Sequence, residues 1–279
     1  MMRADNFRGE ALSRIAMIAR YELARLFLTR RGVLALTAFA LVWALVLRYA
    51  IYGAAQFFTA DAPGGIIASF FNSAIINNLL SWQIPELAVF WVVALYLLPV
   101  VCVLLTADQT ASDRARGTLR LLHLRASRDA IFLGRFAGQV LILAVLVAVA
   151  LVSTLLLVWF RQSSLLLPGL ELACVLFVNL LLVLLPYTAL MAWVSAMSRS
   201  ARQATLYAVI IWIVCSIATR WLSVQFPGLW LLDRVLPGAQ IPALLQLSGW
   251  NTLSLAAIPL IQTVVLLGLG RTMMQRSDW

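Results

Sequence analysis

Lysine is missing from this chain, and all 21 basic residues are arginine. That removes a Walker A phosphate loop, a Schiff-base lysine and a Ser–Lys dyad from consideration. The bias itself fits the codon preference of a GC-rich genome. Histidine occurs once, as His123, so neither an HExxH zinc site nor a Ser–His pair inside the bilayer is available. The three cysteines, Cys102, Cys174 and Cys215, fall inside apolar runs, away from any CxxC or Cys/His array. They read as small buried hydrophobes, with no disulfide or zinc site expected. Charge is scarce too: 11% of residues are charged and 63% hydrophobic, with a mean hydropathy of +0.96. Soluble domains carry about a quarter charged residues, so the chain reads as a polytopic membrane protein. No cleavable signal peptide is expected, because the first apolar run begins only at Gly32 and is long enough to span.

What is present organises itself around the apolar runs. Six segments are long enough to cross a bilayer, over 32–52, 87–106, 131–160, 170–197, 203–222 and 252–270. Ahead of them, residues 8–30 place Leu12, Ile15, Ala16, Ala19, Leu23, Leu26 and Phe27 at helical spacing, with Arg14, Glu22 and Arg25 on the other side. That pattern predicts an amphipathic helix lying in the membrane interface. The stretch after Pro63-Gly64-Gly65 is apolar but studded with Ser69, Asn72, Ser73, Asn77 and Asn78, and reads as an amphipathic or re-entrant outer segment. Residues 223–250 contain Pro227, Pro237 and Pro242 and suit an outer loop with short helical pieces near 228–236 and 241–248. The fold class expected is therefore all-α and membrane-embedded, a single six-span domain over residues 1–279.

The formal net charge of +10 sorts by side. With six spans, both termini, the 108–129 loop and Arg199 and Arg202 share one face. Arg48, Arg161, Arg220 and Arg234 are left on the other. The arginine excess assigns the first face to the cytoplasm of a bacterial inner membrane. Anionic lipid accounts for the basic character, with no nucleic acid required. Polar residues within the spans are few. Asn179 and Gln262 read first as interhelical hydrogen-bond partners, and a membrane-embedded enzyme, which needs converging acid and base groups, is disfavoured.

The long polar interruption is Asp108–Gly138, with six arginines, three aspartates and the single histidine. Acids precede arginines over 108–116, which suits a helix dipole. Gly117 permits a turn or a positive φ, and Thr118 can cap the next helical piece. A short helix, a glycine break and a second short helix before a long span would make a stiff lever at the membrane face. The same physics also fits a lipid-anchoring loop.

The run Asp113-Arg114-Ala115-Arg116-Gly117-Thr118-Leu119, then Leu121-Leu122, Ser127-Arg128 and Leu133-Gly134-Arg135, resembles the corresponding loop of type-2 ABC transporter permeases. The segment Ala19-Arg20-Tyr21-Glu22-Leu23 resembles that family's interfacial-helix signature. Ala115 stands where the motif has a second acid, Ala126 where proline is common, and Arg135 where lysine is usual. The resemblance implies a permease subunit of an exporter that binds no cofactor itself. It implies two ABC ATPase subunits carrying ATP and Mg, and a second permease copy in a homodimer or heterodimer. It also implies a cytoplasmic coupling helix over 108–118. Asp108, Asp113, Arg114, Arg116, Gly117, Thr118, Arg128, Gly134 and Arg135 are then the coupling residues, with Arg20 and Glu22 on the interfacial helix. A narrower reading within the family is the membrane subunit that serves copper-site maturation of nitrous oxide reductase. A passive scaffold remains the reading outside the family.

Overall fold

In a bilayer every backbone N–H and C=O must find a partner inside the protein, so long apolar runs resolve as helices. The computed structural model describes residues 2–52, 78–79, 81–111, 113, 117, 126–225, 234–247 and 249–276, with the backbone alone for 2–12, 31, 223 and 224. Among the described residues there is no strand. The helices are α1 (Met2–Leu28), α2 (Arg30–Leu45, continued by a π-helical stretch Val46–Ile51), α3 (Pro85–Thr106) and α4 (Arg128–Arg161). They continue with α5 (Leu166–Met197), α6 (Ala201–Gln225), the short α7 (Ile241–Leu244) and α8 (Ala257–Arg276). Among the described residues, six stretches are long and apolar enough to cross a membrane: Gly32–Ile51, Pro85–Thr106, Arg128–Arg161, Ser163–Met197, Ala201–Leu222 and Gly249–Arg276.

Local chemistry sets the helix ends. Thr29 caps α2 by accepting from the Gly32 N–H at 3.1 Å. Pro85 opens α3, where its missing N–H costs nothing. Ser127 caps α4 by accepting from the Ala130 N–H at 3.2 Å, with Asp129 in the first turn. Within α4, Arg135 and Arg161 are about 39 Å apart along the axis, close to the full width of a bilayer with its headgroups, about 40–45 Å.

The core sits where α3, α4 and α5 meet. Phe90, Trp91, Leu95, Leu98, Val147, Ala150, Leu180 and Leu184 are all withdrawn from the surface there. α2 joins through Trp43, stacked on Phe39, edge-on to Phe90 and donating to the Ser153 hydroxyl at 3.2 Å. α5 packs against α3, α4, α6 and α8, so it is the member most of the bundle shares. α1 lies along the first third of α4, where a Cβ on Gly138 would meet Glu22 Cβ at 2.8 Å and Ala19 Cα at 3.2 Å.

Between α6 and α8 the chain does something that the proline-rich sequence does not announce. Residues 234–247, read from sequence as part of an outer loop, are packed into the bundle, with Ile241, Leu244 and Leu245 in the main core. The irregular backbone there needs hydrogen-bond donors, and spans supply them. Tyr187 on α5 donates to the Pro237 carbonyl at 3.1 Å. Gln262 on α8 donates to the Arg234 and Leu236 carbonyls at 2.7 and 2.8 Å. Asn78 donates to the Leu245 carbonyl at 2.9 Å. Tyr187 lies about 27 Å along α5 from Gly169, and Gly169 abuts Ile84, Leu155 and Leu87 near the opposite end of the bundle. The segment therefore reaches deep into the membrane-spanning region. Most of the outer piece before α3 and residues 226–233 lie outside the described residues.

Candidate functional site: a buried joint at the arginine-rich end

Three elements meet at Arg135 of α4: α4 itself, α1 and the polar loop. Its guanidinium pairs with Asp113 from the polar loop and donates to the Gln109 carbonyl, and it lies 3.5 Å from the Glu22 carboxylate of α1. The Arg135 and Glu22 side chains are each more than nine-tenths buried. A buried guanidinium is tolerable only when its donors are met by acceptors; here α1 and the loop provide them for the two terminal nitrogens, while Nε meets none among the described residues. Arg25 adds a longer contact to Glu22 at 3.8 Å.

Glu22 calls for a correction. Its helical position put it on the polar face of an interfacial helix, yet it is only 5% exposed and turned toward α4. The cause is Arg135: α1 approaches α4 at Gly138, and the carboxylate follows the charge. Burial pushes the Glu22 carboxyl above the ordinary carboxylate range, and the neighbouring Arg135 and Arg25 only partly offset that rise. Arg20 is exposed on the same helix, and so are Met17, Tyr21, Phe27 and Leu28. An exposed apolar face beside an arginine suits a membrane surface.

The loop is also fastened to α5. The Ser195 hydroxyl accepts from the backbone N–H groups of Thr110 and Ala111 at 2.9 and 3.1 Å, so a side chain from another helix caps the loop's first turn. Gln109 donates from its amide to the Thr188 carbonyl at 3.1 Å. Gln109, Thr110, Thr188 and Ser195 are all buried. Sequence reading passed over Gln109 and gave Ser195 no role. The usable signal was the seven-residue spacing of Thr188 and Ser195, which puts both hydroxyls on one face of α5.

The remaining predicted residues separate into groups. Asp108 is half-buried at the end of α3, and Ala111 and Asp113 are helical. Gly117 is exposed with a φ of +69°, the left-handed turn its lack of a Cβ allows. Gly134 is buried against Ile18 of α1. Arg128 does not join the Arg135 cluster: it donates to the Met274 and Gln275 carbonyls at 3.3 and 2.8 Å, at the C-terminus of α8. Beside it Arg271 grips Asp129 with two bonds of 3.1 and 2.6 Å. Cations at the end of α8 and an acid at the start of α4 both suit the helix dipoles. Arg114, Arg116 and Thr118 lie outside the described residues. Asn179 donates to the Thr252 hydroxyl at 2.8 Å and Gln262 to the buried segment, so both hold helices and backbone together.

A buried cluster of this kind ties the polar loop to three helices at one end of the bundle. Comparison with known families gives its context: a family model described as ABC-2 family transporter protein matches residues 16–279. The chain belongs to the ABC-2 transporter family. It is thus the membrane-spanning permease of an ABC transporter, a multi-pass protein whose family works with ABC ATPase subunits. No curated protein matches the permease.

Proposed function

We propose that this permease is the membrane subunit of an ATP-driven exporter in a bacterial inner membrane. Both termini and the arginine-rich joint face the cytoplasm, as the arginine asymmetry supports. Two separate ATPase subunits dock there, against a pair of permease copies. Residues 108–118 are the docking element. The observation that carries this reading is the fastening of that element. Its start is buried and bonded to α4 and α5 through Arg135 and Ser195, with Glu22 of α1 on the same arginine, while its far end at Gly117 is exposed. One end is thus presented outward and the other is anchored to the bundle, as transmission from a soluble partner requires.

The apolar, aromatic surface of the spans favours an amphiphilic cargo or a purely mechanical role over a charged solute. The decisive experiment co-expresses the permease with a phosphate-loop ATPase from the same genome, sought first in the neighbouring reading frames. Gly117→Pro cannot adopt the positive φ, and among the described residues no atom lies within 4 Å of a Cβ at Gly117, so the bundle itself is spared. The variant should insert normally and lose stimulation of the partner's ATPase. Full co-purification with unchanged stimulated ATPase would refute the docking assignment.

A further inference from the structure

We propose that Arg48, Tyr49 and Tyr52, at the π-helical end of α2, form a site for the phosphate of an anionic lipid in the leaflet opposite the arginine-rich end. The site needs no ATPase and stands apart from the exporter reading.

The backbone sets the three side chains together. α2 leaves α-helical geometry over Val46–Ile51, where the Tyr52 N–H bonds the Leu47 carbonyl five residues back. Single π-helical turns of this kind recur at functional positions. Ile51 is fully buried in the main core and fixes the stretch against the bundle, while Arg48, Tyr49 and Tyr52 are exposed. The Arg48 guanidinium stands over both rings, 5.9 Å from the Tyr49 centroid and 5.4 Å from that of Tyr52.

Contacts of this sort engage the charge and leave the N–H fork of the guanidinium unspent. Among the described residues no hydrogen bond or ion pair reaches that fork. Glu86 of α3, an acid at the same level, is buried and held by Arg161.

Depth selects the ligand. Trp43 of α2 meets Phe90 of α3 edge-on; from that contact Arg48 lies about 7 Å farther out and Glu86 about 6 Å. Arg48 is therefore level with the pair that ends α4 and begins α3. Counted from Gly32, where the first span begins, it stands about 24 Å across a hydrocarbon core about 30 Å thick. A long side chain reaches the headgroups from there. Phosphate is the group at that depth that both takes up the charge and matches the fork. The tyrosine hydroxyls add donors at the same interface. A second copy meeting this face through its own α2 would instead bring a second Arg48, like charge against like.

The test titrates the full-length permease, purified in neutral detergent, with phosphatidylglycerol or phosphatidylcholine. Native mass spectrometry counts bound lipid, and thermal midpoints are read on the same samples. Wild type should hold phosphatidylglycerol at least tenfold more tightly than Arg48→Gln, and the lipid should raise the midpoint of wild type alone. Phosphatidylcholine, whose choline cancels the charge, should bind both equally. Arg48→Lys should recover only part of the affinity, because a point charge lacks the fork. Replacing both Tyr49→Phe and Tyr52→Phe keeps the rings and should weaken binding about threefold. Arg276→Gln, exposed at the other end of the bundle, controls for net charge and should match wild type. Equal phosphatidylglycerol affinity in wild type and Arg48→Gln would overturn the site, as would an equal loss in Arg276→Gln. A midpoint rise produced by inorganic phosphate alone would mean a free-anion site and overturn the lipid assignment. Loss of self-association in Arg48→Gln with lipid binding unchanged would give this face to a second copy. Arg48 is exposed, so the unliganded midpoints of its variants should stay at the wild-type value and keep the comparison valid.

Discussion

The two ends of α4 carry the same chemistry in different settings. Near its start Arg135 is shared by Glu22, Asp113 and the Gln109 carbonyl, from α1 and the polar loop, with its side chain 8% exposed. At its other end Arg161 pairs with Glu86 at the start of α3, donating at 3.0 Å, and its side chain is 38% exposed. The second pair joins the C-terminus of one helix to the N-terminus of its antiparallel neighbour, each charge complementing its own dipole. It ties two spans together. The first binds an interfacial helix, a loop and a span at one point, so moving any of them disturbs the others. A one-to-one pair whose arginine is wet and whose carboxylate is buried, only 3% exposed, is an anchor, while a dry, shared one is a joint.

Breaking the two arginines is the sharpest way to test that contrast. Arg135→Met leaves the Glu22 carboxylate buried without its main partner, and losses from breaking a buried pair run at about 3–5 kcal/mol. The thermal midpoint of the detergent-purified permease should fall steeply, and α1 should become protease-sensitive. Arg161→Met should cost less, about 1–3 kcal/mol, because water still reaches the arginine's place. Equal losses at the two positions would erase the distinction between anchor and joint.

Next in size is the approach of α1. Gly138→Leu puts a side chain where Glu22 Cβ stands 2.8 Å from the position of a Cβ. Overpacking of this kind costs about 1–3 kcal/mol, and here it should appear as release of α1, with the six spans still inserted. Protease protection of residues 13–28 in Gly138→Leu vesicles measures it. A variant with wild-type protection would mean that α1 does not depend on this contact.

These contacts also show what a sequence reveals and what it withholds. Period and hydropathy place a helix, because they depend on each residue's own partition between water and lipid; the six membrane-spanning stretches and the all-helical class follow from that alone. Gly117 was legible for a similar reason, since a backbone turn needs a residue without a Cβ. Glu22 was not, because its inward position is decided by an arginine more than a hundred positions away. Ser195 and Gln109 were missed because a hydroxyl in an apolar run reads as helix glue until the loop that it caps is seen in place. The inward packing of 234–247 was hidden because three prolines in 223–250 suggest exposed loop. The donors that let irregular backbone stay buried belong to Asn78, Tyr187 and Gln262 on other elements.

Glu22 also gives the joint a pH dependence smaller than the effect of either substitution. Its carboxyl is raised, with burial as the first cause. A carboxyl whose folded pKa exceeds its unfolded value, about 4.3, favours the folded state most when protonated. That contribution is fully present below the unfolded value and is lost as pH rises through the folded one. The charged and titratable groups around Glu22 are Arg135, Arg25, Asp113 and Asp108. The attachment of α1 should weaken as pH climbs out of the ordinary carboxylate range, and Glu22→Gln should flatten the profile. A protease-protection profile of the same shape in Glu22→Gln would assign the dependence to another group.

The smallest expected effect belongs to the clasp between α4 and α8, and it tests whether geometry alone makes a contact matter. Arg271 meets Asp129 with two well-aligned bonds, and Gln275 adds a third at 3.2 Å. On paper this is a better-formed pair than Glu22 with Arg135. Its side chains, however, are 57% and 35% exposed. Water and salt compete for both charges there, and exposed pairs contribute about 0.2–1 kcal/mol. Asp129→Asn should therefore shift the thermal midpoint slightly, by an amount that shrinks as ionic strength rises, and leave the joint unaffected. The Arg135 substitution should keep its full effect in high salt, because a dry pair is poorly screened. A salt series on the two variants separates them: parallel curves would mean that burial is not what distinguishes the joint, while one falling curve and one flat curve would mean that it is.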